Sequence, residues 1–263
     1  MKLLVINPNT TESVTTLLLR QVRAAAGKGV TIDAVTARFG ASYIADETSF
    51  AVAGHGVLDA WAAHRAECVS RGEPEADAVL IGCFGDPGCI ALRELSGVPV
   101  IGLAEAAMRE AAEHGRFAIV TGGAAWAPML ARLAKTLDLD ASLAGIHVVA
   151  PTGAQLAADP QAAIALLRDA CIAAAREAGA VILGGAALAG MAKTIAPEVP
   201  VPLIDSVRAG AHAALAALKA AQRSSPTPTP TPTPTKPSVI QAATGIAWQG
   251  LSAALLEGLR RRP

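Results

Sequence analysis

Cys83 closes the apolar run Val79-Leu80-Ile81-Gly82 and opens Cys83-Phe84-Gly85-Asp86-Pro87-Gly88, a pattern that turns a strand into a helix. Asp86 is expected to cap that helix and Pro87 to be its first residue, because proline lacks an N–H that this position would leave unpaired. A thiol so placed stands at the carboxyl end of a strand beside free helix N–H groups, which favour a thiolate. A thiolate can take a proton from an acidic carbon, and the thiol can return one. The same kind of unit recurs at Val181-Ile182-Leu183-Gly184-Gly185-Ala186, 102 positions later, with Gly185 where the first copy has Cys83. The chain reads as a two-thiol catalyst with one thiol missing.

Other residues that could frame a substrate follow the strands of each copy. Asn7 and Asn9 come after the first strand and Thr121 after its counterpart. An asparagine amide donates to a carbonyl and accepts from an N–H, which suits a cyclic ureide or an amide, although Asn-Pro-Asn also forms turns and a threonine also caps helices. Gly82, Gly85, Gly184 and Gly185 let backbone N–H groups approach an oxygen on which enolate charge develops, or they simply form tight turns. Phe84 and Ala186 adjoin them and complete the expected binding set. Cys89 lies on the same turn as Cys83 and is expected to be buried. Cys68 and Cys171 fall in alanine-rich helices and read as small apolar residues. The histidines His55, His64, His114, His147 and His212 form no ligand motif, so no metal is expected. Neither a GxGxxG loop in strand context nor a Walker A sequence is present, which disfavours dinucleotide and phosphate-transfer chemistry.

The elements that must hold these groups alternate. Strands are expected at Leu3–Ile6, Val30–Val35, Ala78–Ile81 and Val98–Ile101, with helices at Thr11–Ala26, Ser49–Ser70, Pro87–Leu95 and Leu103 to about Glu113. A second series runs through strands at Phe117–Thr121, Ile146–Val149, Val181–Leu183 and Val201–Ile204. Its helices are expected at Pro128–Leu137, Pro160–Ala178, Leu188–Ile195 and Ser206 to about Gln222. Alternation of this kind gives an α/β fold of two pseudo-symmetric open parallel-sheet lobes, with helices on both faces and a cleft between them. The first lobe is expected over 1–105 plus 239–263 and the second over 106–222. A Pro-Thr-rich connector occupies 223–238, where the composition favours extended polyproline backbone. After it, Ile246–Leu259 carries an apolar stripe of Trp248, Leu251, Leu255 and Leu259 and is expected to pack back on the first lobe as a helix.

The 263 residues carry a formal net charge of zero, and only Arg260, Arg261 and Arg262 cluster, so no nucleic-acid or membrane surface is implied. Four cysteines without regular spacing and a start that runs directly into a strand pattern point to a reducing, cytoplasmic setting.

Three segments carry a family resemblance: Val5-Ile6-Asn7-Pro8-Asn9-Thr10-Thr11, Gly82-Cys83-Phe84-Gly85-Asp86-Pro87-Gly88 and Leu183-Gly184-Gly185-Ala186, with Thr244-Gly245-Ile246 near the end. The chain resembles the aspartate/glutamate/hydantoin racemase superfamily, nearest its hydantoin and allantoin racemase branch. The resemblance implies two pseudo-symmetric lobes and cofactor-free proton transfer at a carbon beside a carbonyl or carboxylate, by one cysteine from each lobe. By position, Cys83 is then the first-lobe acid/base and Gly185 stands in the place of the second cysteine. The expected function is a cofactor-independent racemase of a small hydantoin-like or ureide compound, in which water or an unidentified side chain serves the second face. A one-thiol decarboxylase or isomerase and a noncatalytic metabolite-binding relative are the alternatives. The expected partner is a small hydantoin, ureide or carboxylate, with homo-oligomerisation left open.

Overall fold

The computed structural model describes residues 1–27, 29–224 and 248–260. The first sheet contains β1 (Lys2–Asn7), β2 (Thr31–Thr36), β3 (Ala78–Ile81) and β4 (Val100–Gly102). The second contains β5 (Phe117–Gly122), β6 (Leu143–Val149), β7 (Ala180–Leu183) and β8 (Leu203–Asp205). Both are wholly parallel, ordered β2-β1-β3-β4 and β6-β5-β7-β8. The near-continuous apolar character of Leu3–Ile6, Ala78–Ile81, Phe117–Val120 and Ala180–Leu183 is what a strand covered on both faces requires, and all are buried. The internal repeat is therefore a repeat of topology, and the fold is the two-lobed α/β architecture expected.

Crossovers are helical: α1 (Glu12–Ala25), α2 (Glu47–Arg71), α3 (Cys89–Ser96) and α4 (Leu103–Ala112) accompany the first sheet in sequence. The second series is α5 (Trp126–Thr136), α6 (Gly153–Ala158), α7 (Pro160–Ala174), α8 (Met191–Ile195) and α9 (Ser206–Ser224), and α10 (Ala253–Arg260) closes the described chain. Two helices cross between lobes: α4 packs on β5, β7 and β8, while α9 packs on β3, β4 and α1. One core therefore joins residues of both sheets, among them Leu3, Val5, Leu80, Ile119, Ile182 and Ile204. Burial of these side chains locks the lobes together.

Several elements differ from expectation for local reasons. The helix over 160–178 is preceded by a separate one, α6, because Thr152 with Gln155 forms a capping box and Asp159 ends one helix and caps the next. The segment over 188–195 is a 3-10 turn at Ala186–Leu188 followed by α8, divided at Gly190 with φ +88°. The last helix begins at Ala253, where the Ser252 hydroxyl accepts from Leu255 N, so Trp248 is exposed and not part of the docked stripe. Leu255 is buried with Trp61 of α2, so this helix does lie on the first lobe. The Pro-Thr run, Thr244-Gly245-Ile246 and the arginines at 261 and 262 lie outside the described residues. Among the described residues no helix is long and apolar enough to cross a membrane.

Candidate active site

The carboxyl ends of β1 and β3 meet those of β5 and β7 around a cavity of about 270 Å³, at the points where strand order reverses in each sheet. Gly82 N donates to Ile6 O at 2.8 Å and Gly184 N to Val120 O at 2.9 Å, so each ladder continues one residue beyond its strand in the same way. Cys83 and Gly185 are the next residues, in equivalent positions on opposite walls, and both line the cavity. Gly82, Phe84, Gly184 and Ala186 line it as well.

The turn after Cys83 is built differently from its sequence expectation. α3 starts at Cys89, capped by Gly88, and Pro87 precedes it. Asp86 has φ +59° and caps another helix, accepting from Ala104 N at 2.9 Å and Glu105 N at 2.8 Å at the start of α4. Burial raises the Asp86 carboxyl to about 6 against the pull of those two N–H groups. Cys83 accordingly lacks the thiolate-favouring setting that the strand-to-helix pattern suggested. Burial pushes its thiol well above the ordinary range, and the Asp86 carboxylate adds to the effect. Burial and Asp86 thus both favour the thiol over the thiolate at Cys83.

Asn7 does not reach the cavity. Its side chain is fully buried, with Nδ2 donating to Asn9 Oδ1, Thr11 O and Thr15 Oγ1, so it shapes the loop in place of the expected ligand contact. Asn9 does line the cavity. Its Oδ1 accepts from Thr11 N at 2.9 Å and from Asn7, which leaves its Nδ2 group as the end available to a ligand acceptor. Gly85 lies behind the wall, where a Cβ would strike the Trp126 ring at 2.5 Å; it borders a separate hollow and not the cavity. Thr121 lines the cavity, but its hydroxyl donates to Gly184 O at 2.9 Å and ties the two second-lobe turns together.

Gly185 has φ +144°, a conformation that L side chains rarely adopt, and its N–H donates to Ser206 Oγ at 3.2 Å. A Cβ there would meet Leu188 Cγ at 3.3 Å. Apolar packing thus stands beside the place where the resemblance sets a second thiol.

Residues without a chemical assignment from sequence complete the walls. Tyr43 and Ile44 enter from the loop after β2, Trp126 from the start of α5, and Thr11, Ser13 and Val14 from the start of α1. No side chain caps α1, so its first-turn N–H groups add positive potential at this end of the cavity. Tyr43 O accepts from Gly153 N at 3.0 Å, across the cleft. In sequence, Tyr43 in Ala41-Ser42-Tyr43-Ile44 is similar in placement to the family's early segment and carries no chemical assignment.

The other chemical groups lie elsewhere. Cys68 and Cys171 are buried in helices, and Cys89 is buried behind the wall. Asp33, His64 and Cys68 cluster toward the amino end of β1, away from the cavity. Lys2 Nζ already serves as their cation, 2.9 Å from Asp33 and 3.3 Å from Cys68 Sγ. His55 stacks edge-on with Phe39 and does not line the cavity.

The model of the Asp/Glu/Hydantoin racemase family matches residues 3–214. The hydantoin racemase of Pseudomonas sp. (strain NS671) is 33% identical over 214 residues, covering 80% of this chain and 83% of that protein. Among solved structures, the allantoin racemase from Klebsiella pneumoniae aligns with a TM-score of 0.73 at 33% identity, over 85% of this chain and 86% of that one. The allantoin racemase from Pseudomonas fluorescens aligns at 0.76 with 29% identity, over 84% and 92% respectively. With the paired sheets and the interlobe cavity, these matches show that the chain belongs to the Asp/Glu/hydantoin racemase family, on its hydantoin and allantoin racemase branch.

Proposed function

We propose that the protein is a cofactor-independent racemase of a small cyclic ureide, hydantoin-like or allantoin-like, working through proton transfer at the carbon beside the ring carbonyl. The observation that carries this reading is the position of Cys83 two residues beyond β3, on the wall of a cavity whose mixed lining suits a small ring with a few polar atoms. Asn9 Nδ2 and the first-turn amides of α1 are the donors for the carbonyl oxygen on which charge develops. Phe84, Trp126 and Leu188 cover the rest of the ring and keep water from the carbanion.

Cys83 serves one face. As the thiol it delivers a proton to the enolate, and as the thiolate it removes one. Because burial and Asp86 oppose the thiolate, proton removal by Cys83 grows faster as pH rises. The names of the relatives guide the choice of substrate, and the amide-directed donor at Asn9 fits the same chemistry.

The test follows deuterium incorporation by proton NMR together with optical configuration. Wild type and Cys83→Ala are incubated in D₂O with separate enantiomers of allantoin and of 5-substituted hydantoins, and uncatalysed exchange is subtracted. Inversion with deuterium uptake, reduced at least about 100-fold in Cys83→Ala, is expected. Unchanged turnover in Cys83→Ala would remove the proposed role of that thiol, and stoichiometric carbon dioxide from a disubstituted malonate would move the reaction to decarboxylation.

A further inference from the structure

A racemase must return a proton to the face opposite the one it came from, and at the second-lobe position Gly185 has no proton to give. The wall at Gly185 offers Leu188, which is apolar, and Ser206, whose hydroxyl accepts from Gly185 N, does not line the cavity. Thr121, a cavity-lining hydroxyl of this lobe, donates its proton to Gly184 O. Thr11 Oγ1 likewise donates to Ser42 O at 2.7 Å. Among the described residues no second-lobe hydroxyl on the cavity is thus left to protonate the second face, and the group comes from the first lobe.

Tyr43 is such a group. It belongs by sequence to the first lobe, in the loop between β2 and α2, yet its oxygen is held on the second lobe by Gly153 N, 110 positions away. Trp126 lines the cavity beside it. Gly153 N donates, so the phenol oxygen acts as acceptor toward the protein and its own O–H remains for a ligand. The ring lines the same cavity as Cys83, and Cys83 is the titratable group that acts on it electrostatically. The loop is firmly placed. Ala41 O accepts from Thr10 N at 3.1 Å, and α2 begins after it with a capping box of Asp46 and Ser49.

We propose that Tyr43 is the second proton-transfer residue, its phenol hydroxyl serving the substrate face opposite Cys83. This rests on the racemase reading above. In one direction the Cys83 thiolate takes the proton from carbon, leaving Cys83 S–H and an enolate. Tyr43 O–H then protonates the opposite face and becomes the phenolate. In the other direction the Tyr43 phenolate removes the proton and Cys83 S–H supplies one. The two side chains hold one transferable proton before and after each turnover and two while the enolate stands between them, and exchange with solvent resets the pair. Burial raises the phenol, whereas Gly153 N–H and Trp126 favour the phenolate, so the N–H that anchors the ring also stabilises the form made in the step.

Because Tyr43 is the only tyrosine in the sequence, supplying 3-fluorotyrosine during expression alters this position alone. Three proteins and one label form the test: wild type, Tyr43→Phe, Cys83→Ala, and wild type carrying fluorotyrosine, each in D₂O with single enantiomers of allantoin and a 5-substituted hydantoin. Tyr43→Phe is expected to lose inversion at least about 100-fold while still exchanging the hydrogen of one enantiomer with retained configuration. Cys83→Ala should exchange the other enantiomer. The more acidic fluorinated phenol should move the alkaline limb of the inversion profile to lower pH, which a purely structural tyrosine would not do. Inversion at the wild-type rate in Tyr43→Phe overturns the proposal and leaves the racemase reading standing. Equal loss of exchange with both enantiomers in Tyr43→Phe, with an unmoved fluorotyrosine profile, also overturns it and makes Tyr43 a link between lobes. Wild type that exchanges with retention only, or not at all, overturns both readings.

Discussion

The Phe84 ring lies on the backbone of Gly184, so close that a Cβ built on Gly184 would stand 2.2 Å from Phe84 Cε1. The two strand-to-helix turns, one from each lobe, thus touch directly beside the cavity. Gly184→Ala should displace the Phe84 ring and cost about 1–3 kcal/mol, as overpacking of a dense interior does. Urea unfolding of Gly184→Ala, Phe84→Leu and the double variant checks this. The smaller side chain should recover much of the loss, and strictly additive effects would show that the contact does not limit the fold.

Asp86 gives a pH signature. Its carboxyl is at about 6 in the folded chain against an ordinary 3.8, so the native state holds the proton more tightly than the unfolded state. The stability from this group is complete below about 3.8 and is lost as pH rises through about 6, a change of about 3 kcal/mol. Comparing wild type with Asp86→Asn by urea unfolding at acid and neutral pH isolates it: wild type should gain on the variant at acid pH. A constant difference would contradict the raised carboxyl.

Removing the same charge acts on catalysis with the opposite sense of pH. Asp86 opposes the Cys83 thiolate, so Asp86→Asn should shift the rise of Cys83-dependent exchange to lower pH. Rate profiles of both proteins measure it, and coincident profiles would count against coupling between the two groups.

Restoring a thiol at Gly185 should fail as a single change. The φ of +144° strains any L residue, and Leu188 Cγ lies 3.3 Å from the new Cβ. Gly185→Cys should lose about 1–3 kcal/mol without faster inversion. Adding Leu188→Ala should open room for the side chain, and the double variant should react faster with a thiol reagent at this site. A single variant as stable as wild type would show that the turn adapts easily.

The docked last helix supplies a stability test remote from chemistry. Leu255 is 2% exposed against the first lobe beside Trp61, so Leu255→Ala should cost about 2–5 kcal/mol in thermal or urea unfolding. Substrate exchange by the folded variant should be unaltered, since α10 does not border the cavity.

Much of the architecture was legible in the residues themselves. Leu3–Ile6, Val79–Ile81, Phe117–Val120 and Val181–Leu183 are apolar without alternation and end in Asn, Thr or Gly, and buried parallel strands need that local pattern. The equivalence of Cys83 and Gly185 followed from the same repeat, because each lies a fixed distance beyond its strand. The separate helix α6 was obscured because Thr152 and Asp159 are short polar residues that suit turns as well as caps.

The remaining assignments depend on partners distant in sequence. Asp86 is a capping residue by type, but only packing decides that it caps α4, 18 positions away, and that burial makes it an obstacle to the Cys83 thiolate. Asn7 and Asn9 are alike in sequence, and the fold turns one inward and leaves the other on the cavity. Tyr43 carries no local sign of chemistry, since its donor Gly153 comes from the start of α6 in the other lobe. Backbone propensity and strand periodicity act over a few residues, so the sequence determined the two sheets and the lone cysteine at their junction. Electrostatic environment and free hydrogen-bonding capacity arise from groups brought together by folding, and for that reason only the tertiary structure decided which side chains face Cys83.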